Sequence, residues 1–459
     1  MNLSELLKDV TVESLTGNPQ LAINGIAFDS RAVKPGNLFV CISGFETDGH
    51  KYAPQAIEKG AAAILAERDL SDLGVTCAVV KNSRKALALV SAAFYGHPEK
   101  NFCLIGVTGT NGKTTTTYLI KSVLEAMGKK VGLIGTNQNM IGTEIIPSKR
   151  TTPDSLELMR LFSKMAEKKV DYAIMEVSSH SLVLDRVTAC TFDVGAFTNI
   201  TQDHLDFHKT MEEYLKAKGI LFQISKNGAI NADDPAAKQL LELSTCEKML
   251  TYGVENECDM RASNVELREN GVFFVLNYEG KEYHVELGIP GKFSVYNALT
   301  ALSALAVSGI PVDRAVACLK KARGVKGRIE VVNTGRDFSV IIDYAHTPDG
   351  LDNVLQTIRG FAKGRVITVF GCGGDRDKGK RPKMGKIASK MSDYCVVTSD
   401  NPRTENPNAI IEDIMVGVRE GGGDYTVVPN RFEAIEFALD HAKKDDIILL
   451  AGKGHETYQ

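Results

Sequence analysis

The sequence predicts an α/β protein of three domains, with a doubly wound, mostly parallel sheet in the central domain and a Rossmann-like C-terminal domain. Two observations predict this class. The chain has 459 residues, which corresponds to about three domains of ordinary size. From residue 100 onward, short apolar runs alternate with helical patterns, as is typical of parallel strands connected by helices.

The first segment, residues 1–99, predicts a small α/β domain. It combines short strands such as NLFVCI with a helix around YAPQAIEKGAAAIL, and it ends at the turn-rich stretch YGHPEKN. The opening residues, MNLSELLKDVTVESL, have the pattern of an amphipathic helix. They lack the apolar run and the small-residue cleavage site of a signal peptide.

The remaining chain divides into a central segment, residues 100–324, and a third segment, residues 325–459. In the central segment the buried strand FCLIGV leads through a Gly-rich turn into the helix TTTTYLIKSVLEAMGKK. The strands VGLIG, YAIMEV and VGAFTNI and the helix LELMRLFSKMAEKK follow. In the third segment the strands SVIIDYAH, RVITVFGC, YCVVTSD and DIILLAG each end in polar residues. We expect a ligand site there, because open α/β sheets bind ligands beyond the carboxyl ends of their strands.

The composition limits which kinds of partner the protein is expected to have. With 43% hydrophobic and 24% charged residues and a net charge of -3, nothing indicates a nucleic-acid or membrane surface. No stretch approaches the roughly 18 apolar residues of a membrane span. Nine single cysteines without a CxxC pair argue against a disulfide framework and a structural zinc site. We therefore expect a cytoplasmic protein with small-molecule partners, no nucleic acid and no membrane insertion.

The turn VTGTNGKTTTT predicts a phosphate-binding P-loop. Val107 stands where the first glycine of the pattern G-x-x-x-x-G-K-[ST] belongs. Even so, Gly109 and Gly112 would let backbone N–H groups converge on phosphate oxygens, while Lys113 reaches the phosphates and Thr114 binds Mg²⁺. The alternative is a turn without a ligand, which the position between a buried strand and a helix disfavours. The predicted loop residues are Gly109, Thr110, Asn111, Gly112, Lys113, Thr114 and Thr115.

Hard metal ligands follow two of the central strands. Phosphoryl transfer between anions requires divalent cations and fixed positive charge. Glu176 ends the strand YAIMEV, and His204 follows VGAFTNI, so both side chains could face the phosphates. Alternatively, Glu176 is a surface acid, and Asp203, His204, Asp206 and His208 form a solvated loop or a zinc site. The spacing of His204 and His208 leaves zinc open, whereas the oxygen-rich surroundings favour Mg²⁺.

The motifs TGTNGKTTTT, MEVSSH, TNITQDHLDFH, YLKAKGILF, YNALTALSA, GR and DYAHTPDGL, in this order, resemble the Mur ligases and their folylpolyglutamate synthase relatives. The resemblance covers nearly the whole chain. The motifs DSRAVKPGNLFV, RTTPD, EVSSHSL, FGCGGDRDKGKRPKM, SDNPRTENP and AGKGHE are similar to the Mur ligases that add the third residue to UDP-MurNAc-L-Ala-D-Glu.

The resemblance implies a division of labour among the three domains. Residues 1–99 would bind the UDP substrate, residues 100–324 would bind ATP at the P-loop, and residues 325–459 would bind the amino acid. It also implies an ATP-dependent ligase that forms an acyl phosphate, and we expect a monomer. Relatives continue some tens of residues beyond Gln459. The strand DIILLAG is therefore expected to lack its following helix.

The resemblance also implies the ATP and metal site. Lys218, in YLKAKGILF, corresponds to a lysine that carries a carbamate, N6-carboxylysine, which helps to hold a second Mg²⁺. A carbamate is an anion that suits Mg²⁺, whereas an ammonium is repelled. The alternative is a solvated helix lysine, as Lys216 is expected to be. The implied nucleotide ligands are Asn297, Arg328, Asp343 and His346, the catalytic residues are Lys113, Lys218, His204 and Glu176, and the metal ligands are Thr114, Glu176, His204 and Lys218.

The resemblance also implies which residues bind the UDP substrate and which bind the incoming amino acid. For the UDP substrate they are Ser30, Thr151, Thr152, Ser178 and Arg186. Leu184 and Arg150 stand where some members of the family have glutamine and asparagine, so contacts there are not carried over. For the incoming amino acid they are Arg376, Asp400, Asn401, Pro402, Arg403, Gly452 and Glu456.

The motif DNPR resembles the subgroup that adds meso-diaminopimelate rather than L-lysine. These amino acids differ by one distal carboxylate, which Arg403 could bind bidentately. Arg376 would add a second positive contact, although GGDRDKGKRP could also be a mobile basic turn. Two other functions compete with this one. RTTPD, DSR and DNPR disfavour a folylpolyglutamate synthase, and a second substrate site together with Lys218 disfavours a non-catalytic P-loop switch.

Overall fold

The computed structural model describes residues 1–45, 47–268, 271–322, 324–332, 334–456 and 458–459. It comprises two compact units. The first unit contains Met1–Ile105 and Lys130–Asp193, and the second contains Gly106–Lys129 and Val194–Gln459. Within the described residues, no helix is both long enough and apolar enough to cross a membrane.

The N-terminal part of the first unit is a five-stranded sheet in the order β1-β5-β4-β3-β2. β1 is antiparallel to β5, and the remaining neighbours are parallel. Strands β3, β4 and β5 are buried along their whole length, as expected of parallel strands covered on both faces. The elements are α1 (Leu3–Leu6), β1 (Val12–Thr16), β2 (Gly25–Ala27), β3 (Asn37–Val40), α2 (Ala53–Glu58), β4 (Ala63–Ala66), β5 (Thr76–Val80) and α3 (Ser83–Phe94), with 3-10 turns at Ser30–Ala32, Gly49–Tyr52, Ser71–Leu73 and Pro98–Lys100.

Two predicted helices of this region are wrong in extent. The opening helix ends at Leu6, and β1 follows and pairs with β5, because Val12–Thr16 is rich in residues that favour strands. The helix predicted around YAPQAIEKGAAAIL ends at Glu58. Gly60 then adopts φ +92°, a conformation that glycine favours, and Ala63–Ala66 forms β4.

The first unit also contains the strand order β11-β6-β10-β7-β8-β9, with only the first residues of β6 (to Ile105) and of β11 (to Asp193). β10 is parallel to β7, whereas β7, β8 and β9 form an antiparallel meander. Asp154 caps α5 by accepting a hydrogen bond from the Glu157 N–H. The elements are β6 (Cys103–Thr108), β7 (Val131–Ile134), β8 (Asn139–Ile141), β9 (Glu144–Ile146), α5 (Ser155–Glu167), β10 (Tyr172–Glu176), α6 (Ser179–Val183) and β11 (Phe192–Phe197).

In the second unit the remaining residues of β6 and β11 continue into the order β6-β11-β12-β13-β14-β15-β16. β12, β13 and β14 are parallel, and β14, β15 and β16 are antiparallel. Helix α10 is buried on nearly all sides, consistent with its mostly apolar sequence. The elements are α4 (Lys113–Ala126), α7 (Leu205–His208), α8 (Met211–Gln223), β12 (Ser225–Asn231), α9 (Ala237–Leu243), β13 (Lys248–Gly253), β14 (Met260–Arg268), β15 (Gly271–Tyr278), β16 (Lys281–Leu287), α10 (Lys292–Val307) and α11 (Val312–Leu319).

The second unit ends in a six-stranded sheet in the order β17-β18-β22-β19-β20-β21. All neighbours are parallel except β17 and β18. The predicted α/β class, with a doubly wound central sheet and a Rossmann-like C-terminal sheet, is confirmed. The elements are β17 (Glu330–Val332), β18 (Ser339–Asp343), α12 (Pro348–Arg359), β19 (Val366–Phe370), α13 (Lys380–Met391), β20 (Tyr394–Val397), α14 (Pro407–Gly421), β21 (Tyr425–Val427), α15 (Arg431–His441) and β22 (Ile447–Ala451).

Candidate active site

The loop between β6 and α4 requires glycine at two positions. Gly109 has φ +146° and Gly112 has φ +84°, both in the region that glycine favours. A Cβ on Gly109 would lie 1.8 Å from Thr198 Oγ1, and one on Gly112 would lie 2.3 Å from Asn297 Oδ1. Both positions therefore require glycine, because their backbone conformation favours it and because a Cβ would clash with a neighbouring side chain. Asn297 lies directly against the loop.

The segment that follows β11 holds the loop in shape. The Thr110 N–H donates to Asn199 O at 2.8 Å, and the Asn111 N–H donates to Asn199 Oδ1 at 3.0 Å. The Thr198 hydroxyl donates to Asn111 O at 2.7 Å. Lys113 Nζ donates to Gly109 O at 2.9 Å and to Thr110 O at 2.8 Å, so its charge lies within the loop.

Residues that follow α11 also contact the loop and the start of α4. Arg328 Nη2 donates to Thr114 Oγ1 at 3.2 Å, and its guanidinium lies 4.5 Å from the Tyr344 ring centroid. Asn111 Nδ2 donates to Asp349 Oδ2 at 2.7 Å. The structure thus brings the predicted Arg328 to the P-loop. Asp349 was not predicted, because its sequence context marks it only as a residue of the first turn of α12.

Two predicted nucleotide ligands, Asp343 and His346, lie at the end of β18. Asp343 accepts hydrogen bonds from the Ile329 N–H at 2.8 Å and the Ala345 N–H at 2.7 Å, which fixes the backbone beside Arg328. Burial raises the pKa of Asp343, against the opposing effect of Arg328. His346 Nδ1 lies 2.8 Å from Tyr344 O.

Lys218 is buried on α8, with 1% of its surface exposed. Its Nζ lies 4.3 Å from the Tyr214 ring centroid. Burial, and after it the charge of Lys113, hold the pKa of Lys218 well below its ordinary value, against the opposing effects of Asp203 and Asp234. Lys216, by contrast, is exposed and paired with Glu212 at 2.9 Å. Lys218 is therefore no solvated helix lysine.

Asp203 is a buried anion beside His204. The two side chains approach to 3.3 Å, and the His204 N–H donates to Asp203 Oδ1 at 2.9 Å. Burial acts to raise the pKa of Asp203, but His204 and Lys380 lower it to about 2. The carboxylate is therefore ionised at neutral pH and compensates nearby positive charge.

Lys380, at the start of α13, is a site residue that the sequence did not predict. It is 4% exposed, and its Nζ lies 3.9 Å from Asp203 Oδ1. It comes from the basic stretch GGDRDKGKRP, in which every lysine looks suited to solvent. Burial of one of them depends on contact with a distant segment, which no local signal indicates.

The zinc alternative gains no support. Among the described residues, no group of three or more His, Cys, Asp or Glu side chains is placed to hold a metal ion. The predicted Mg²⁺ set contains only two residues of these types, so this finding does not test it. His208 packs instead against aromatic rings, with its centroid 5.1 Å from Tyr214 and 4.8 Å from Phe207.

In the first unit, Glu176 forms a connected cluster at the end of β10 with four of the residues predicted for the UDP substrate, which are Thr151, Thr152, Ser178 and Arg186. Glu176 is 1% exposed, which excludes a surface acid, and it accepts hydrogen bonds from the Thr136 N–H and hydroxyl at 2.8 and 2.9 Å. The Thr136 and Thr151 hydroxyls lie 3.0 Å apart. The Thr152 hydroxyl donates to Glu176 O at 2.8 Å. One hydrogen-bonded group thus links both threonines of RTTPD to Glu176.

Ser178 and Arg186 extend this cluster, whereas Ser30 lies in the five-stranded sheet region. The Ser178 N–H donates to Thr152 Oγ1 at 3.0 Å, and Arg186 Nη1 donates to Thr152 O at 3.1 Å. Burial, and then Arg150, lower the pKa of Arg186 to about 10. Ser30 is buried, and its hydroxyl donates to Gln55 Oε1 at 2.7 Å.

Four of the residues predicted to bind the incoming amino acid meet at the carboxyl ends of β20 and β22; they are Asp400, Asn401, Gly452 and Glu456. Asn401 Nδ2 donates to Glu456 Oε2 at 2.8 Å. Lys453, which was not predicted, donates to Asn401 Oδ1 at 2.7 Å. Gly452 has φ +108°, and a Cβ there would lie 2.8 Å from Asp400 Oδ2. The motifs DNPR and AGKGHE, far apart in the chain, therefore form one polar cluster.

Arg403 and Arg376, the two arginines predicted to bind the amino acid, differ in their hydrogen-bond partners. Arg403 is exposed, has φ 52° and follows Pro402, and its Nη1 donates to Gly374 O at 2.7 Å and to Asn401 O at 3.4 Å. Arg376 is also exposed, and its Nη1 donates to the adjacent Asp375 O at 2.8 Å. The structure anchors Arg403 across two loops, whereas it leaves the surface-turn alternative open for Arg376.

Comparison with known proteins places the whole chain in one group. Family models match at residues 22–101 (Mur ligase family, catalytic domain), 107–305 (Mur ligase middle domain) and 327–454 (Mur ligase, glutamate ligase domain). A protein of Caldanaerobacter subterraneus, named UDP-N-acetylmuramoyl-L-alanyl-D-glutamate–2,6-diaminopimelate ligase, is 50% identical over 100% of this chain and 95% of its own length. The chain belongs to the Mur ligase family. The resemblance to the Mur ligases that add the third residue, the MurE type, is confirmed.

Other relatives agree with this assignment. A protein of the same name from Bacillus licheniformis is 47% identical to this Mur ligase over 100% of the chain and 95% of the relative. A solved structure with that name is 32% identical, covers 100% of this chain and 94% of its own, and superposes with a TM-score of 0.72. MurF of Thermotoga maritima in complex with ADP is 21% identical, covers 94% of both chains and has a TM-score of 0.66, which shows a shared fold.

The environment of His346 predicts a pH-dependent contribution to the stability of this Mur ligase. Burial, and then Lys380, lower the pKa of His346 from its ordinary value of 6.5 to about 4. Between these two values the unfolded chain binds a proton that the folded state does not. This histidine therefore lowers stability as the pH falls through that window. Between pH 7 and pH 5, the free energy of unfolding should decrease by roughly 1–2 kcal/mol more in the wild type than in His346→Asn.

Urea unfolding of both proteins at the two pH values, followed by circular dichroism, measures this difference. All other titrating groups are common to the two chains, so the difference reports the histidine together with its coupling to Lys380 and Asp203. An equal pH dependence in wild type and variant would contradict the buried, neutral state of His346.

Proposed function

We propose that the chain is an ATP-dependent ligase that joins meso-diaminopimelate to the D-Glu γ-carboxylate of UDP-MurNAc-L-Ala-D-Glu, in the synthesis of peptidoglycan precursors. The observation that carries this proposal is full-length identity of about half to ligases that bear this name. The P-loop, the buried Lys218 and the polar cluster of DNPR and AGKGHE support it, because they supply the parts that such a reaction needs.

The proposed organisation keeps three domains: residues 1–99 for the UDP substrate, residues 100–324 for ATP, and residues 325–459 for the amino acid. We propose a cytoplasmic monomer that acts on small molecules, without nucleic-acid or membrane partners. The net charge of -3 and the absence of paired cysteines among the described residues support this setting.

The proposed ATP site is the P-loop together with Asn297, Arg328, Asp343 and His346. Backbone N–H groups at the start of α4, with Lys113 and Arg328, would bind the phosphates. Support comes from the contact between Arg328 and Thr114 and from the steric fit of Asn297 against Gly112. Solved relatives of low identity whose titles name ADP share this fold.

The proposed magnesium ligands are Thr114, Glu176, His204 and a carbamylated Lys218. Two observations support their fit to the metal: Thr114 is buried and accepts a hydrogen bond from Arg328, and Lys218 is buried with a strongly lowered pKa. Bound Mg²⁺ would neutralise the charge of the phosphates.

A neutral Lys218 amine is the form that reacts with carbon dioxide. Its lone pair attacks the carbon, an N–C bond forms, one C=O bond opens to give the carboxylate, and the nitrogen loses a proton to solvent. Burial favours the neutral amine by penalising its charged form. The product, N6-carboxylysine, replaces a buried neutral amine by an anion suited to a metal.

The reaction then proceeds in two steps. The γ-carboxylate oxygen of the dipeptide attacks the γ-phosphorus of ATP, the bond to ADP breaks, and an acyl phosphate forms. The amine of diaminopimelate attacks the acyl carbon, the C–O bond to phosphate breaks, and the amide forms with loss of one amine proton. Lys113 and Arg328 stabilise the negative charge of the transferred group. His204 and the departing phosphate are the two candidate acceptors of the proton.

The remaining predicted residues recognise the two substrates. Ser30, Thr151, Thr152, Ser178 and Arg186 are proposed for the UDP substrate. Arg403 is proposed to bind the distal carboxylate of diaminopimelate, with Arg376, Asp400, Asn401, Pro402, Gly452 and Glu456 around the same end of the molecule. L-lysine lacks that carboxylate and would leave the guanidinium without its partner, which disfavours its binding.

Phosphate release tests this function. With ATP, Mg²⁺ and UDP-MurNAc-L-Ala-D-Glu present, we expect release when meso-diaminopimelate is added and at least about a hundredfold lower kcat/KM with L-lysine. Equal rates with both amino acids would refute the specificity. Release that does not require the dipeptide would refute the ligase function.

Replacement of Lys218 tests the carbamate. Lys218→Ala should lower kcat by about a thousandfold or more, and short-chain carboxylates should partly restore it by supplying the missing anion. The matched control is Lys216→Ala, two residues away on the same helix but exposed, which should keep nearly full activity. Full activity of Lys218→Ala, or a lack of any rescue in a folded variant, would refute the carbamate.

A further inference from the structure

Two loops follow neighbouring strands of the C-terminal sheet and are joined by one carboxylate. We call residues 371–379, after β19, the GDRD loop, and residues 398–406, after β20, the DNPR loop. Glu405 of the DNPR loop accepts a hydrogen bond from the Asp375 N–H at 2.6 Å. It also lies 3.2 Å from Lys378 Nζ. Glu405 therefore holds the backbone of one loop from within the other.

Arg381 binds the Glu405 carboxylate and holds it in place. Its Nη1 and Nη2 bind the two oxygens of Glu405 at 3.1 and 2.8 Å, and Nη1 also donates to Asp413 Oδ2 at 2.8 Å. Only 1% of the Arg381 surface is exposed. A charged side chain so buried requires a fixed partner. The hydrogen bonds from Arg381 lower the pKa of Glu405 to about 2, so the pair is ionised throughout the physiological range.

The contact between the GDRD and DNPR loops also holds Arg403 in place. Its Nη1 donates to Gly374 O, one residue before Asp375, and the Gly374 N–H donates back to Asn401 O at 2.9 Å. The positive φ of Arg403 costs energy in a residue other than glycine and persists only where its surroundings hold it. Both of these hydrogen bonds of Arg403 come from Nη1.

We propose that Arg381 and Glu405 are positioning residues for amino-acid selection: they lock the GDRD and DNPR loops together and so hold the Arg403 guanidinium where it meets a distal carboxylate. The inference rests on the proposed function of Arg403. Arg381 itself does not contact the amino acid, because it is buried and both of its terminal nitrogens bind protein carboxylates. Its effect therefore passes through Arg403.

The test is Glu405→Gln, which keeps the shape of the side chain and removes its charge. Kinetics should show KM for diaminopimelate raised about tenfold, with KM for ATP and for the UDP substrate changed less than about twofold. The matched control is Asp413→Asn, which removes the other carboxylate partner of Arg381 but lies on α14 outside both loops. Since Asp413 is 48% exposed, its loss should matter little, and KM for diaminopimelate should stay within about twofold of wild type.

A double-mutant cycle distinguishes positioning from general damage. If Glu405 acts through Arg403, then Glu405→Gln should add almost nothing to the loss of kcat/KM for diaminopimelate already caused by Arg403→Ala. Additive losses, or an unchanged KM in Glu405→Gln, would overturn the proposal. If Glu405→Gln does not fold, Thr404→Val tests the same contact between the GDRD and DNPR loops. It removes the hydroxyl that donates to Asp375 at 2.7 Å and should raise KM for diaminopimelate by a smaller factor, whereas an unchanged KM would overturn the proposal.

The wild-type assay separates this inference from the function on which it rests. A wild type that releases no phosphate on addition of diaminopimelate refutes the proposed function. A wild type that depends on diaminopimelate, with a Glu405→Gln variant of unchanged KM, refutes only the positioning role.

Discussion

Burial of lysine side chains beside the P-loop is the constraint on which the rest of the second unit depends. Lys218 and Lys380 are 1% and 4% exposed, and Lys113 lies within the loop itself. Buried charges without compensation cost several kcal/mol. Asp203 offsets part of this cost, and the lowered pKa of Lys218 offsets another part by favouring the neutral amine. Such a site is suited to polyanions, and it suits a reaction in which a carboxylate must approach a triphosphate.

The order of the C-terminal strands brings the other groups to this charge. β22, the last strand in the chain, lies between β18 and β19. Its register pairs Ala451 with Asp343, so the AGKGHE motif begins beside the residue that fixes the backbone at Arg328. The DNPR and GDRD loops leave the same sheet at neighbouring strands, and Lys380 follows directly. The residues proposed to bind the amino acid and some of those proposed to bind ATP thus follow the carboxyl ends of neighbouring strands of one sheet.

Local pattern in the sequence predicts part of the fold correctly. The apolar runs became strands, and the two P-loop glycines adopt positive φ, because periodicity and turn chemistry are local properties. Local pattern does not predict features that depend on contacts with distant segments. The burial of Lys380 and of Arg381, the contact of Asp349 with the P-loop and the pairing that turns Val12–Thr16 into a strand all depend on what packs against them. A basic run such as GGDRDKGKRP looks uniformly suited to solvent, yet two of its members are among the most buried charged residues.

The central claim is that this charged site activates a carboxylate by transfer of a phosphoryl group. The most direct test uses UDP-MurNAc-L-Ala-D-Glu labelled with oxygen-18 in the γ-carboxylate, with mass analysis of the phosphate released during turnover. Formation of an acyl phosphate predicts that one labelled oxygen per turnover moves from the carboxylate into inorganic phosphate. Phosphate that contains no label from the carboxylate would contradict the account.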